Sequence, residues 1–211
     1  MNKLTLEVLI MEFITYEQPL NEHIRVCLRL EQLFVQVQHW LHGTNTWDSR
    51  AALAGILEVL NVLDRPDLKT RLVKELSRFS AQLTRYTETP NVDHSKLNSV
   101  LLELNQTIEQ LHNLQGRIAQ GLRDNDFLIS IRQHLTNPGG GCSFDAPAYH
   151  YWINQPASER IAQLKLWLDS LKTVQFSINL MLRLIRQSNS PQWRQATSGF
   201  YQAALDANIS C

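Results

Sequence analysis

The sequence predicts a mainly α-helical bundle with strand-like material at both chain ends. Three observations predict it. Apolar residues recur at three- and four-residue steps through most of residues 20–185. Only 8 Gly and 7 Pro punctuate 211 residues, too few for a loop-rich fold. The strand-like stretches that lack the helical pattern lie at the two chain ends, 11–17 and the tail from Ser188.

Residues 11–17 (MEFITYE) carry Phe13, Ile14, Thr15 and Tyr16 without a helical stripe and read as a short strand. Pro19 and Asn21 open the first helix, with Leu20, Ile24, Cys27, Leu28, Val35 and Leu41 on its stripe and Gly43 as the expected stop. A second helix is expected from Asp48 as N-cap through Leu53, Ile56, Leu57 and Leu60 to Leu63. Pro66 and Asp67 start a third, built on Leu68, Leu72, Leu76, Phe79 and Leu83. After the loop at 88–93, Leu97, Leu101, Leu104, Ile108, Leu111 and Ile118 mark a long fourth helix. Gly116 and Gly121 weaken its end by about 1 kcal/mol each relative to alanine.

A shorter helix follows over Asp126–Leu135, and the run Asn137-Pro138-Gly139-Gly140-Gly141 terminates it. Next comes an aromatic cluster with Phe144, Tyr149, Tyr151 and Trp152. Ser158 and Glu159 then open a single last long helix whose stripe runs from Ile161 through Leu171 to Ile185. The tail from Ser188 carries Trp193, Phe200 and Tyr201. One or two isolated strands cannot satisfy their ladder groups. Either the two ends pair, or a partner chain completes the sheet, or part of a sheet lies outside this sequence.

Composition narrows the function classes. A hydrophobic content of 44% excludes general disorder, and a 211-residue chain can bury roughly 70% of its unfolded surface. Lys+Arg and Asp+Glu are both 20, a formal net charge of zero that argues against a wholesale nucleic-acid binder. Cys27, Cys142 and Cys211 are odd in number with no CxxC pair, which predicts reduced thiols in a cytoplasmic protein. The opening MNKLTLEVLIMEF is interrupted by Glu7 and Glu12 and lacks a signal-peptide core, and no stretch reads as a membrane span.

Catalytic and metal constellations are weak. Gly139-Gly140-Gly141-Cys142 lacks the Lys-Ser/Thr and the preceding strand of a phosphate cradle, so a structural turn is expected. Cys142, Asp145 and His150 could form a thiol nucleophile with its base only if the fold assembled them. His39 and His42 share a helix face but lack a third ligand at metal spacing. No catalytic residue, metal or cofactor is therefore assigned. Basic residues carry more information: Arg25 and Arg29 lie four apart, Arg123 and Arg132 flank the short helix, and Arg183, Arg186 and Arg194 form a stretch without acids. The alternatives are a solvated helix face and an anion-recognising groove, for which Arg suits bidentate contact with carboxylates.

Three blocks together resemble the ZapD family, bacterial cell-division factors that bundle filaments of the tubulin-like protein FtsZ. They are PLNEHIRVCLRLEQL (19–33), LRDNDFLISIRQHLTNPGGGCSFDAPAYHYWI (122–153), and LIRQS followed by SGFYQ (184–202). LDRPDLKTRLVKEL (63–76) agrees less specifically. The resemblance spans residues 11–202. It implies a helical domain over 19–190 joined to a small antiparallel β domain formed by the chain ends, with the first strand at 11–18 and further strands beginning at 191–211. It also implies a homodimer that binds the FtsZ C-terminal tail and cross-links filaments at the midcell division ring, without enzymatic activity, nucleic acid or membrane.

By carry-over onto matching positions, the implied contact residues are Arg25, Arg29, Arg123 and His150, with Arg65 a weaker addition. Asp126 stands where the family carries a basic residue. The family continues beyond the GFYQ block, so the β domain is expected to be incomplete. Residues 1–10 have no counterpart, which leaves Met11 as an alternative start. The competing readings are a helical adaptor for another acidic partner and a thiol enzyme using Cys142.

Overall fold

The computed structural model describes residues 15–90, 92–135, 140–188 and 190–202. Within them the chain forms nine α-helices: α1 (Glu22–Trp40), α2 (Thr46–Leu63), α3 (Leu68–Thr84), α4 (His94–Asn113), α5 (Gln120–Arg123), α6 (Asp126–Leu135), α7 (Pro147–Ile153), α8 (Ala157–Asp169) and α9 (Lys172–Ser188).

Packing follows the amphipathic stripes. α1 buries Val26, Cys27, Leu30, Phe34 and Val37 between α2 on one side and α9 on the other. α9 is the central helix. It buries Val174, Ile178, Leu180, Met181, Leu182 and Leu184 and touches α1, α3 and α4. The α3–α4 pair closes one flank, and α6, α7 and α8 cover the far face of α2. Phe127 of α6 lies 5.8 Å from Trp152 of α7 and stacks 5.6 Å from Trp167 of α8, which ties those three helices into one corner.

Helix starts obey local chemistry. The Asn21 side chain accepts the Ile24 N–H at 2.8 Å and caps α1, leaving Pro19 outside the helix. α2 starts earlier than its sequence suggests. Asn45 is the N-cap, and Asp48 is the third helical residue, which returns a bond to the Asn45 N–H in a reciprocal capping box. α1 ends at Leu41 in a right-handed conformation, so Gly43 is not the left-handed stop expected.

Three further expectations are corrected. The fourth helix stops at Asn113, because Leu114 turns extended and Gly116 takes φ +69°. Ile118 reaches the core from a separate turn, and Lys69 Nζ donates to the Leu114 carbonyl at 2.6 Å. The last long helix is two helices. The break falls at Ser170-Leu171, where the Leu171 N–H reaches back only three residues to Leu168 and the Ser170 hydroxyl bonds the Trp167 carbonyl at 2.7 Å. The aromatic cluster, read without a defined element, contains α7 with Pro147 in its first turn.

The β domain is not seen among the described residues. Residues 15–19 are irregular, and residues 11–14 and 203–211 lie outside the described residues. What the tail shows is one antiparallel bridge, Thr197 with Phe200, exchanging N–H···O bonds of 2.9 and 3.0 Å. Ser198 and Gly199 between them have φ of 52° and 78°, the positive pair that a tight hairpin turn requires.

Gly55 lets α1 and α2 approach closely. A β-carbon there would sit 2.6 Å from Val37 Cγ2, and Val37 is fully buried. Gly55→Ala gains about 1 kcal/mol of helix propensity but incurs an overpacking cost of roughly 1–3 kcal/mol. The expected result is a lowered melting temperature, partly restored by adding Val37→Ala. A melt unchanged or raised in the single variant would show that the two helices have room to spare.

Candidate functional site

The N-terminal half of α1 and the C-terminal end of α2 bring basic side chains together. Glu22 is the first residue of α1, and its carboxylate is shared. Arg25 Nη1 donates to one oxygen at 2.9 Å, and Arg65, just past the end of α2, reaches the other at 3.2 Å. All three side chains remain nearly half exposed, at 45%, 48% and 48% for Arg25, Arg65 and Glu22. Arg29 follows Arg25 by four residues, roughly 6 Å along the helix axis. It pairs with no acid among the described residues.

Between these arginines lies a shallow groove of about 510 Å³. Pro19, Leu28, Leu33 and Val62 line it together with Arg25, Arg29 and Gln32, and the surface turned into it is almost wholly apolar, so the arginines contribute their aliphatic stems and keep their charged heads at its edge. The apolar walls suit a hydrophobic side chain, and the guanidiniums suit carboxylates beside it. Pro19 is placed by its neighbour: Glu17 accepts from Arg186, which also forks onto Glu31, with bonds of 2.6 to 2.9 Å. That hydrogen bond holds the Glu17 carboxyl below its ordinary value.

A second carboxylate, Asp64, continues the cluster next to Arg65. Arg123 and Arg132 both pair with it. Arg123 is otherwise committed. Its Nη2 donates to the Leu63 carbonyl at 2.7 Å and its Nε to the Ile118 carbonyl at 3.0 Å, and only 12% of the side chain is exposed. Burial, with Arg132 nearby, lowers its affinity for the proton. Arg123 thus closes the end of α2, where the unpaired carbonyls and the negative end of the helix dipole favour a cation.

The structure therefore joins Arg25, Arg29 and Arg65 at one surface and sets Arg123 beneath it as a strut. His150 is elsewhere. It is exposed on α7, and its neighbour Tyr149 accepts from Arg50 Nη1 at 3.3 Å. Arg50 precedes Asp64 by fourteen residues along α2, about 21 Å of helix. In the basic stretch at 183–194, Arg183 pairs with Glu103 and Arg186 with Glu17 and Glu31, while exposed Arg194 meets the neutral Gln192.

The structure gives the acid of the thiol constellation another partner. Asp145 faces His134, with Nδ1 at 3.4 Å, rather than His150. The Cys142 carbonyl accepts from Asp145 and Ala146 in the turn that enters α7. Gly140 offers its carbonyl to Arg50, and a β-carbon on Gly141 would sit 3.0 Å from Tyr149, so these two glycines serve packing. Burial pushes the Cys27 thiol up to about 12, leaving it unreactive. His42 Nδ1 donates to the Gln38 carbonyl at 2.7 Å. No helix among the described residues is long and apolar enough to cross a membrane.

Sequence reasoning missed the shared acid Glu22, the apolar walls Leu28, Leu33 and Val62, and the buried Arg160. That arginine donates to the Thr44 carbonyl at 2.9 Å and to Ser49 Oγ at 3.1 Å. Leu28 reads as part of the core stripe, and only its partial burial, shared with Leu33, reveals the groove.

Comparison with known proteins points one way. The family model ZapD, described as "Cell division protein", matches residues 28–210. A "Cell division protein ZapD" of Coxiella burnetii is 42% identical over 198 residues, covering 94% of this chain and 77% of that protein. Proteins of the same name from Aromatoleum aromaticum and Methylococcus capsulatus are 39% and 38% identical, covering 91% and 92% of this chain and 75% and 76% of their own lengths.

Proposed function

The chain belongs to the ZapD family of cell division proteins, and from that premise we propose that it binds the C-terminal tail of FtsZ and cross-links FtsZ filaments into bundles at the midcell ring. The observation that carries this reading is the groove walled by Pro19, Leu28, Leu33 and Val62 and edged by Arg25 and Arg29. An extended acidic tail with an interspersed apolar residue matches it in shape and charge. Arg65 extends the positive rim, Arg123 supports it from below, and His150 contacts the partner separately, from α7.

Bundling needs two tails held at once, which a homodimer supplies. Bivalency can raise avidity 100- to 10,000-fold over a single site when both sites reach partners, so a modest tail affinity suffices. The hairpin turn at Ser198-Gly199 supports reading residues 191–211 as the start of a β domain beside the helical one.

The test is co-sedimentation of this protein with FtsZ polymers, intact and lacking the tail, over a salt series. Pelleting is expected with intact polymers only. It should fall steeply between about 50 and 500 mM salt as the Debye length shrinks toward roughly 4 Å. Pelleting with tail-less polymers, or indifference to salt, would refute the docking mode.

A further inference from the structure

Glu22 holds both half-exposed arginines of the rim with one carboxylate. Arg25 and Arg65 each meet a different Glu22 oxygen, at 2.9 and 3.2 Å, whereas Arg29 beside them has no acid partner among the described residues. A carboxylate arriving at the groove meets Arg25, which lines it, already paired with Glu22 and must compete with that acid, whose other oxygen is held by Arg65 next to the lining. Asp64 is arranged differently. Its partner Arg123 is only 12% exposed and bonded to two carbonyls, so that pair is not available for exchange.

We infer that Glu22 is a built-in competitor of acidic ligand, a specificity-determining residue that weakens tail docking and sets which ligands displace it. The inference rests on the docking site proposed above and concerns its regulation. Glu22 can be exchanged without undoing α1. The start of the helix is capped by Asn21, whose side chain holds the Ile24 N–H at 2.8 Å independently of Glu22. Exposed ion pairs of this kind are individually weak, so a ligand carboxylate can replace Glu22. A ligand with a single acid would engage Arg29 and leave the Glu22 pairs intact. A ligand with two acids gains from displacing them.

The experiment is fluorescence anisotropy with a labelled synthetic peptide of the FtsZ C-terminal tail, using wild type, Glu22→Gln, Glu109→Gln and the double variant R25E/R29E. Glu109 is an exposed acid on α4, away from the groove, and controls for net charge. Glu22→Gln is expected to bind about two- to fivefold tighter at low salt, with the gain shrinking as salt rises and Glu109→Gln showing none of it. If R25E/R29E abolishes binding while Glu22→Gln leaves it unchanged or weaker, the competitor role is overturned and the docking site stands. An equal gain from Glu109→Gln overturns it as well, in favour of simple net charge. If R25E/R29E binds like wild type, the docking site itself fails and the inference falls with it.

Discussion

The double variant R25E/R29E is expected to lose pelleting with FtsZ polymers while keeping the helical content of the wild type. Two guanidiniums at the groove edge become two carboxylates, so each attraction to an acidic tail becomes a repulsion. One such pair at 4 Å is worth about 1 kcal/mol in water. Reversing two, after screening, should cost roughly 2–3 kcal/mol, a loss of about 30- to 150-fold per site. A bivalent cross-linker loses this twice, and bundling should vanish at concentrations where wild type saturates.

The fold should survive. Arg25 is 45% exposed and makes one pair with Glu22, and Arg29 makes none with an acid among the described residues. A glutamate at 25 would face Glu22 at helical spacing and cost only a few tenths of a kcal/mol. Circular dichroism and the melting curve are the controls. Wild-type pelleting by a folded variant would remove the groove from consideration.

The same pair shows what the sequence made legible. Arg25 and Arg29 are four apart on a strongly periodic helix, and spacing alone puts them on one side. Glu22 and Arg65 meet only through tertiary packing across more than forty residues, a contact no local pattern encodes. Val62 faces the groove from α2 for the same reason. The break between α8 and α9 was hidden because Leu168, Leu171 and Val174 keep the three-residue step through it, and all three are buried. α7 has seven residues, too few for a periodicity to emerge, so its aromatic content read as a cluster rather than a helix.

His150 and Arg123 show how far apart the fold can set residues of one sequence block. Both sit in the same sequence block, 122–153, yet one is exposed near Arg50 and the other lies folded under the Asp64 corner. The β-prone ends are a partial case. Residues 15–19 are irregular, but Ser198-Gly199 does adopt the backbone of a hairpin turn.

Arg123→Met is the sharper test of how the site is built. It should destabilise the fold strongly and weaken tail binding little in the molecules that remain folded. The substitution keeps much of the aliphatic bulk but removes every donor from the Leu63 and Ile118 carbonyls and leaves Asp64 with Arg132 alone. Hydrogen bonds to a charged donor are worth about 1.5–3 kcal/mol each, and part of that is recovered by water at this edge. A net loss of about 2–4 kcal/mol corresponds to a fall of roughly 5–15 °C in melting temperature for a chain of this size. The α2 C-terminus should loosen first, and hydrogen exchange should report faster opening around Leu60–Leu63 and Ile118 before the rest of the bundle. Were Arg123 instead a direct ligand for the acidic tail, the opposite signature would follow: binding lost by an amount comparable to R25E/R29E, with the melt barely moved. The two outcomes separate a residue that touches the partner from one that holds the end of a helix so that Arg65 stands where the partner can reach it.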